Sequence, residues 1–443
     1  MNTRVRRPYE KKIISKSGAL IFGLGLGALL ATVAIMIALA MPTISPHLDN
    51  LTYRARSYYR KLLPHPEYLP TPAPTALVAA AVTVTPVQAE QTGPAPTPTS
   101  TPTIPIATPT ILAATPTEQA IAPPTPIPAV ALLSPDTSIQ LSGFKHQWQT
   151  WNNCGPATIT MNMSYFGRSE TQVEAAQFLK PNRDDKNVSP DQLAAYARTT
   201  GMEALVRQGG SVDQLKLFLS NNLPVLAETW LIHDGDGLGH YRLITGYDDA
   251  TGQFSTLDSL NGPDFKVSYE QFDTDWRVFN RLYLIVYPPE RAETVSAIIG
   301  ADMDDRVMYE RLVAEAQAEI QANPSDAIAH FNQGEALTRL GRFQEAVIAF
   351  DQARQLGLHW RRLWYQFTPF EAYYAVGRYQ DVLDLTAATI KGSGGLEEAY
   401  YYRGLALQAT GQPGAKQEFQ AALDYNPNFT PAAEALNAMS EGG

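Results

Sequence analysis

The stretch His146-Gln147-Trp148-Gln149-Thr150-Trp151-Asn152-Asn153-Cys154-Gly155-Pro156-Ala157-Thr158 holds the only cysteine among 443 residues. A lone thiol forms no internal disulfide, so it serves either as a small buried apolar group or as a reactive one. The residues that follow, Ala157 to Phe166, carry apolar side chains at helical spacing and end before Gly167, a common helix stop. This spacing predicts a helix with Cys154 in its first turn. Unpaired N–H groups and the positive end of the macrodipole there favour thiolate over thiol. Pro156 suits a first turn because its missing donor would have had no partner. Gly155 leaves room for a substrate backbone beside the sulfur, and Gln149 can donate its amide to the oxygen of a tetrahedral intermediate.

A nucleophile needs a base and a group that orients the base. His240 opens an expected strand to Tyr247, Asp258 closes the next one from Phe254, and Asp248-Asp249-Ala250-Thr251-Gly252 between them is a turn sequence. A hairpin folded about residue 249 would set positions 240 and 258 side by side. Cys154 is then the nucleophile, His240 the proton acceptor and later donor, Asp258 the group fixing the imidazole tautomer, and Gln149 the oxyanion donor. Gln147, on the same face of an extended segment, competes for that last role. His146 lies on the approach to the cysteine, and His233 belongs to the glycine-rich stretch His233-Asp234-Gly235-Asp236-Gly237, expected to be a mobile lid. That stretch lacks the ligand pattern of a calcium loop, so no metal and no cofactor are expected.

Gln149 with Trp151-Asn152-Asn153-Cys154-Gly155-Pro156-Ala157 resembles the nucleophile motif of the C39-like branch of papain-type cysteine peptidases. Gly239-His240-Tyr241 and Leu257-Asp258-Ser259 are similar to that family's histidine and aspartate positions. The resemblance covers about 137–290 and implies an α+β papain-like fold and hydrolysis of peptide bonds in a peptide or protein substrate. In the C39 family proper the domain removes leader peptides after a double glycine and is joined to an export ATPase. This sequence has no GxxxxGK[ST] pattern, so that substrate is not carried over.

Around this domain the chain changes character. Residues 1–17 are basic and 18–41 carry no charge, which reads as a cytoplasmic segment and a transmembrane anchor with everything after it outside the cell. A cleaved signal peptide is the rival, with Ala38-Leu39-Ala40 as its cleavage site, but the apolar run is longer than signal sequences use. Residues 42–136, rich in Pro and Thr, read as a stalk that at ~3 Å per residue reaches up to roughly 200 Å. Within 137–290, helices are expected at Glu170 to Leu179, from Ser189-Pro190 to Gly201, and from Ser211. Strands follow at 224–231, 240–247, 254–258 and 281–287, and helices preceding strands suggests α+β.

Residues 303–440 carry Gly334-Glu335-Ala336-Leu337, Gly341-Arg342-Phe343, Gly377-Arg378-Tyr379, Gly404-Leu405-Ala406-Leu407 and Gly411 at a period near 34, with Asn323-Pro324 and Asn426-Pro427 at the boundaries. This resembles an all-α solenoid of tetratricopeptide (TPR) repeats, which implies a concave face for a peptide or protein partner. A net charge of −10 with no basic stripe after the N-terminus argues against nucleic acid.

Overall fold

The structure is a computed structural model that describes residues 68–72, 130–182, 184–233 and 236–441. The expected cytoplasmic segment, the expected anchor and most of the expected stalk lie outside these residues. Among the described residues no helix is long and apolar enough to cross a membrane.

The first domain is built on one antiparallel sheet. Its strands are β1 (Ser138–Gln140), β2 (Glu203–Arg207), β3 (Val225–His233), β4 (Asp236–Asp248), β5 (Gln253–Asp258), β6 (Gly262–Ser268) and β7 (Tyr283–Tyr287). Their order is β2-β7-β3-β4-β5-β6, with β1 paired to the end of β4. Alternation along the strands decides what each face buries. Leu226, Leu243, Leu284 and Val286 point into one cluster with Ile159, Met161 and Leu193, whereas Val225, Ala227, Ile285 and Tyr287 point into another with Phe218, Phe254 and Trp276. Full burial of each such side chain contributes about 1.5–3 kcal/mol.

The first cluster is covered by α1 (Cys154–Tyr165), α2 (Gln172–Leu179) and α3 (Pro190–Thr199), and the second by α4 (Val212–Ser220), α5 (Tyr269–Trp276) and α6 (Ala292–Ile299). Both faces of the sheet are therefore closed. Thr171 and Ser189 begin α2 and α3 through capping boxes, each accepting from the amide three residues on. Helix α6, beyond the expected boundary at 290, packs Val295 and Ile298 into the core of this domain.

A helical region follows: α7 (Asp305–Ala322), α8 (Ala327–Arg339), α9 (Phe343–Gln355), α10 (Thr368–Ala375), α11 (Tyr379–Ser393), α12 (Glu397–Ala409), α13 (Ala415–Tyr425) and α14 (Thr430–Glu441). Gly334 on α8 meets the Phe350 ring so closely that a methyl group there would lie 2.6 Å from it, and Gly404 on α12 meets Phe419 at the same 2.6 Å. Missing side chains let paired helices approach while a ring fills the gap.

The two parts of the chain touch along a line of polar contacts. Arg277 reaches Glu319 at 2.7 Å and Asp326 at 2.9 Å, Asn332 donates to the Arg277 carbonyl at 2.8 Å, and Tyr425 donates to the Asp184 carbonyl at 3.2 Å. Inside the expected stalk, Tyr68 bridges to His359, the Leu69 amide donates to the Leu358 carbonyl at 2.9 Å, and Arg354 donates to the Pro70 carbonyl at 2.8 Å. Leu69 is buried in the helical core.

Several expectations change. Strands β1, β2 and β6 and helices α5 and α6 were not foreseen, and β7 begins at Tyr283 rather than Arg281 because Asn280 and Arg281 take left-handed turn conformations. Of the glycine-rich stretch expected to be a mobile lid, Asp234 and Gly235 lie outside the described residues, whereas Asp236 and the Gly237 carbonyl, at the start of β4, are held by Arg361 at 2.7 and 2.8 Å.

Candidate active site

Cys154 is the first residue of α1 and remains partly accessible. The loop before it is tied down by one side chain. Gln172 accepts from the Thr150 amide at 2.9 Å and from Asn153 Nδ2 at 2.9 Å, and donates to the Trp148 carbonyl at 2.7 Å. Asn152 sits at φ 52°, a left-handed conformation that asparagine tolerates, and the ammonium of Lys180 donates to its carbonyl at 2.9 Å.

His240, on β4, is buried, and its Nε2 lies 2.9 Å from Asp258 Oδ1. Its Nδ1 makes no hydrogen bond and is the ring atom that Asp258 leaves unengaged; the ring and the Cys154 thiol are electrostatically coupled. Asp258 is fully enclosed. Its Oδ1 also accepts from the amides of Leu260 and Asn261 at 2.8 and 2.9 Å, and its Oδ2 from Asn261 Nδ2 at 3.0 Å and Arg242 Nε at 3.3 Å.

The register differs from a hairpin symmetric about 249. Pairing runs Asp248–Gln253 and Tyr247–Phe254, shifts by one at an irregularity between Ile244 and Gly246, and ends at Leu243–Leu257. That frame puts Asp258 level with Arg242, so it reaches His240 along the diagonal. One carboxylate thereby holds both side chains.

The charges are set by these contacts. Burial alone would raise the Cys154 thiol, but the His240 ring, the Tyr241 amide and the Lys180 ammonium outweigh it and lower the thiol below its usual value. Burial would lower His240, yet Asp258 and the sulfur push it up to about 9. Burial would raise Asp258, but His240 and Arg242 hold it well below the usual carboxylate range. Burial pulls Lys180 down to about 8 against the pull of Asp185 and Cys154. These shifts favour a thiolate beside an imidazolium over the neutral pair.

The two glutamines separate cleanly. Gln147 uses both ends of its amide, donating to Thr160 Oγ1 at 3.0 Å and accepting from the Gln172 amide at 2.9 Å. Gln149 Oε1 accepts from the Ser259 hydroxyl at 2.8 Å, and its backbone amide donates to the Ser259 carbonyl at 2.9 Å. The oxygen end of Gln149 is thus occupied and its Nε2 donors are unengaged among the described residues. His146 donates through Nε2 to the Asp258 carbonyl at 3.0 Å, a supporting contact. The backbone of His233 ends β3, and its side chain lies outside the described residues.

Sequence reading missed Gln172, Lys180, Arg242 and Ser259. Arg242 left a trace, a charge inside the apolar strand Leu238 to Tyr247; the others gave none. Among the described residues no group of three or more His, Cys, Asp or Glu is placed to hold a metal ion.

Residues 141–284 match the family model described as the Peptidase_C39 like family, which makes this segment a C39-like peptidase domain. The peptidase domain of Streptococcus ComA, a bi-functional ABC transporter involved in a quorum sensing pathway, is 17% identical over 33% of this chain and 99% of that one, with a TM-score of 0.28. A putative C39-like peptidase from Bacillus anthracis is 16% identical over 34% of this chain and 98% of that one, with a TM-score of 0.28. MamA from Desulfovibrio magneticus RS-1, residue 41 to its end, is 23% identical over 30% of this chain and 76% of that one, also at 0.28. No curated protein matches the chain.

Proposed function

We propose that this protein is a cysteine peptidase that hydrolyses peptide bonds through Cys154, His240 and Asp258, held outside the cytoplasm by a membrane anchor at 18–41. The observation that carries the reading is the 2.9 Å contact from the Asp258 carboxylate to His240 Nε2, which leaves Nδ1 of a ring coupled to the Cys154 thiol unengaged. The thiolate attacks the carbonyl carbon of the scissile bond. The Cys154 amide, which has no intrahelical acceptor, and Gln149 Nε2 stabilise the oxyanion. His240 gives its proton to the leaving amine, and a thioester remains. A water then loses a proton to His240, attacks the thioester and releases the acid, regenerating the pair.

In this reading the helical region is a set of TPR repeats that recruits the substrate or a protein partner. Support comes from the recurrence of a glycine against a phenylalanine, Gly334 with Phe350 and Gly404 with Phe419, two periods apart. The test is incubation of the full-length protein with peptide mixtures, read by mass spectrometry, beside the Cys154→Ala variant. Cleavage by the wild type and none by the variant supports the reading. No cleavage by either, with partner binding intact, replaces it with an inactive adaptor. Amide products in the presence of an added amine mark acyl transfer instead.

A further inference from the structure

A cavity of about 820 Å³ lies between the peptidase domain and the helical region, walled on one side by Ser189, Pro190 and Glu228 and on the other by Glu335, Glu371 and Glu398. Six carboxylates line it against two guanidiniums, and one guanidinium, Arg207, is paired with the lining Asp305 at 2.9 Å. Aromatic side chains of Tyr365, Phe367, Tyr401 and Tyr402 are among those on the helical wall.

Cys154 does not itself line the cavity, but residues that do are joined to its surroundings. Glu228 on β3 pairs across the sheet with Tyr241, whose amide hydrogen-bonds the Cys154 sulfur and whose hydroxyl donates to the Val188 carbonyl at 2.9 Å. Val188 in turn lies 3.4 Å from where a side chain on Gly155 would begin, and Ser189 and Pro190 next to it line the cavity.

What marks this as a binding pocket is unfinished pairing. Glu228 is 3% exposed, faces the cavity and accepts no hydrogen bond among the described residues. Oε2 of Glu398 is also buried without a partner, whereas Oε2 of Glu335 accepts from Gln366 at 3.2 Å. Arg362, buried behind them over the Phe331 ring at 4.6 Å, attracts Glu335 and Glu228 but does not line the cavity. Burial pushes Glu228 well above the usual carboxylate range despite that arginine. Buried carboxylates are costly unless a donor completes them, and a visiting cation would do so.

We propose that this cavity is a specificity pocket for a lysine or arginine side chain of the peptide acted on at Cys154, with Glu228 pairing the cationic head and the helical region supplying Glu398 and the aromatic wall for its stem. The inference rests on the peptidase reading for what happens at the sulfur. It makes the helical region part of the active-site cleft.

The test uses the full-length Cys154→Ala protein and fluorescein-labelled, alanine-rich octapeptides with one Lys, Arg, norleucine or Glu at each position in turn. Binding is read by anisotropy at about 0.15 M salt, where distant charges are screened. A Lys or Arg at one particular position should tighten binding about tenfold or more over norleucine, the scale of a hydrogen bond to a charged group. Glu228→Gln should erase that gain and leave the norleucine peptides unchanged. Glu398→Gln, on a different element, should weaken it and serves should the first variant not fold. A gain at every position alike, or one that survives both substitutions, overturns the proposal. Wild-type cleavage of the same peptides without a basic preference refutes the pocket and spares the peptidase. Position-specific binding without cleavage does the reverse.

Discussion

At the scale of single residues, the site is an ion pair kept in place by a third charge, and its pH behaviour follows. Because the thiol is lowered and His240 is pushed up to about 9, the reactive pair is favoured at a lower pH than an ordinary thiol and imidazole would allow, and is lost as His240 titrates. The kcat/KM of any cleaved peptide should therefore fall above about pH 9, as His240 loses the proton it must donate. Alkylation of Cys154 by iodoacetamide should persist below the range of an ordinary thiol, and Asp258→Asn should move that profile up and reduce kcat on the order of 10²–10⁴-fold. Stability moves with the same groups. The raised His240 contributes fully below its unfolded value of about 6.5 and loses its contribution as pH rises through about 9. Destabilisation by His240→Gln, measured by urea midpoints, should then be larger at pH 6 than at pH 10. The depressed Asp258 acts in the opposite sense, contributing above about pH 4 and losing its contribution as pH falls through its folded value. That His240 and Asp258 come together, with Cys154 at a helix start, could be anticipated from the sequence because each combines a reactive side chain with a local turn or helix signal. Gln172 and Lys180 could not, because their importance comes from carbonyls and amides that only folding brings beside them.

At the scale of elements, the fold class and several helices could be read from periodicity and caps, as where Ser189 opens α3 through a capping box. The short strands could not. Strand β6 begins Gly262-Pro263-Asp264, which reads as a turn, and β2 has five residues of mixed polarity whose pairing with β7 is purely tertiary. The β4–β5 register also escaped, since one irregular residue near Thr245 shifts every pair beyond it. Two predictions belong here. Gln172→Leu removes three contacts to the loop before Cys154 and should lower kcat more than it raises KM, with α1 still intact by circular dichroism. Gly404→Ala drives a methyl group into the Phe419 ring and should cost about 1–3 kcal/mol in thermal unfolding.

At the scale of the whole molecule, the peptidase domain and the helical region share Arg277, Arg281 and Arg361 as anchors, so neither is a free module on a tether. Sequence composition separated them because it registers changes of periodicity and is blind to ion pairs formed across them. The docked segment at Tyr68–Pro72 goes further. With the proposed anchor at 18–41, the docked residues 68–72 would leave 42–67 to set the distance from a membrane. At ~3 Å per residue that is roughly 80 Å at most. A nick introduced between Pro94 and Ala95 should not part the chain: the halves should co-elute on size exclusion, pegged by Leu69, and part only in mild denaturant or after Leu69→Ala. Under the proposed anchoring, release from a surface would be a two-key event, requiring a cut in the chain and the loss of a five-residue plug.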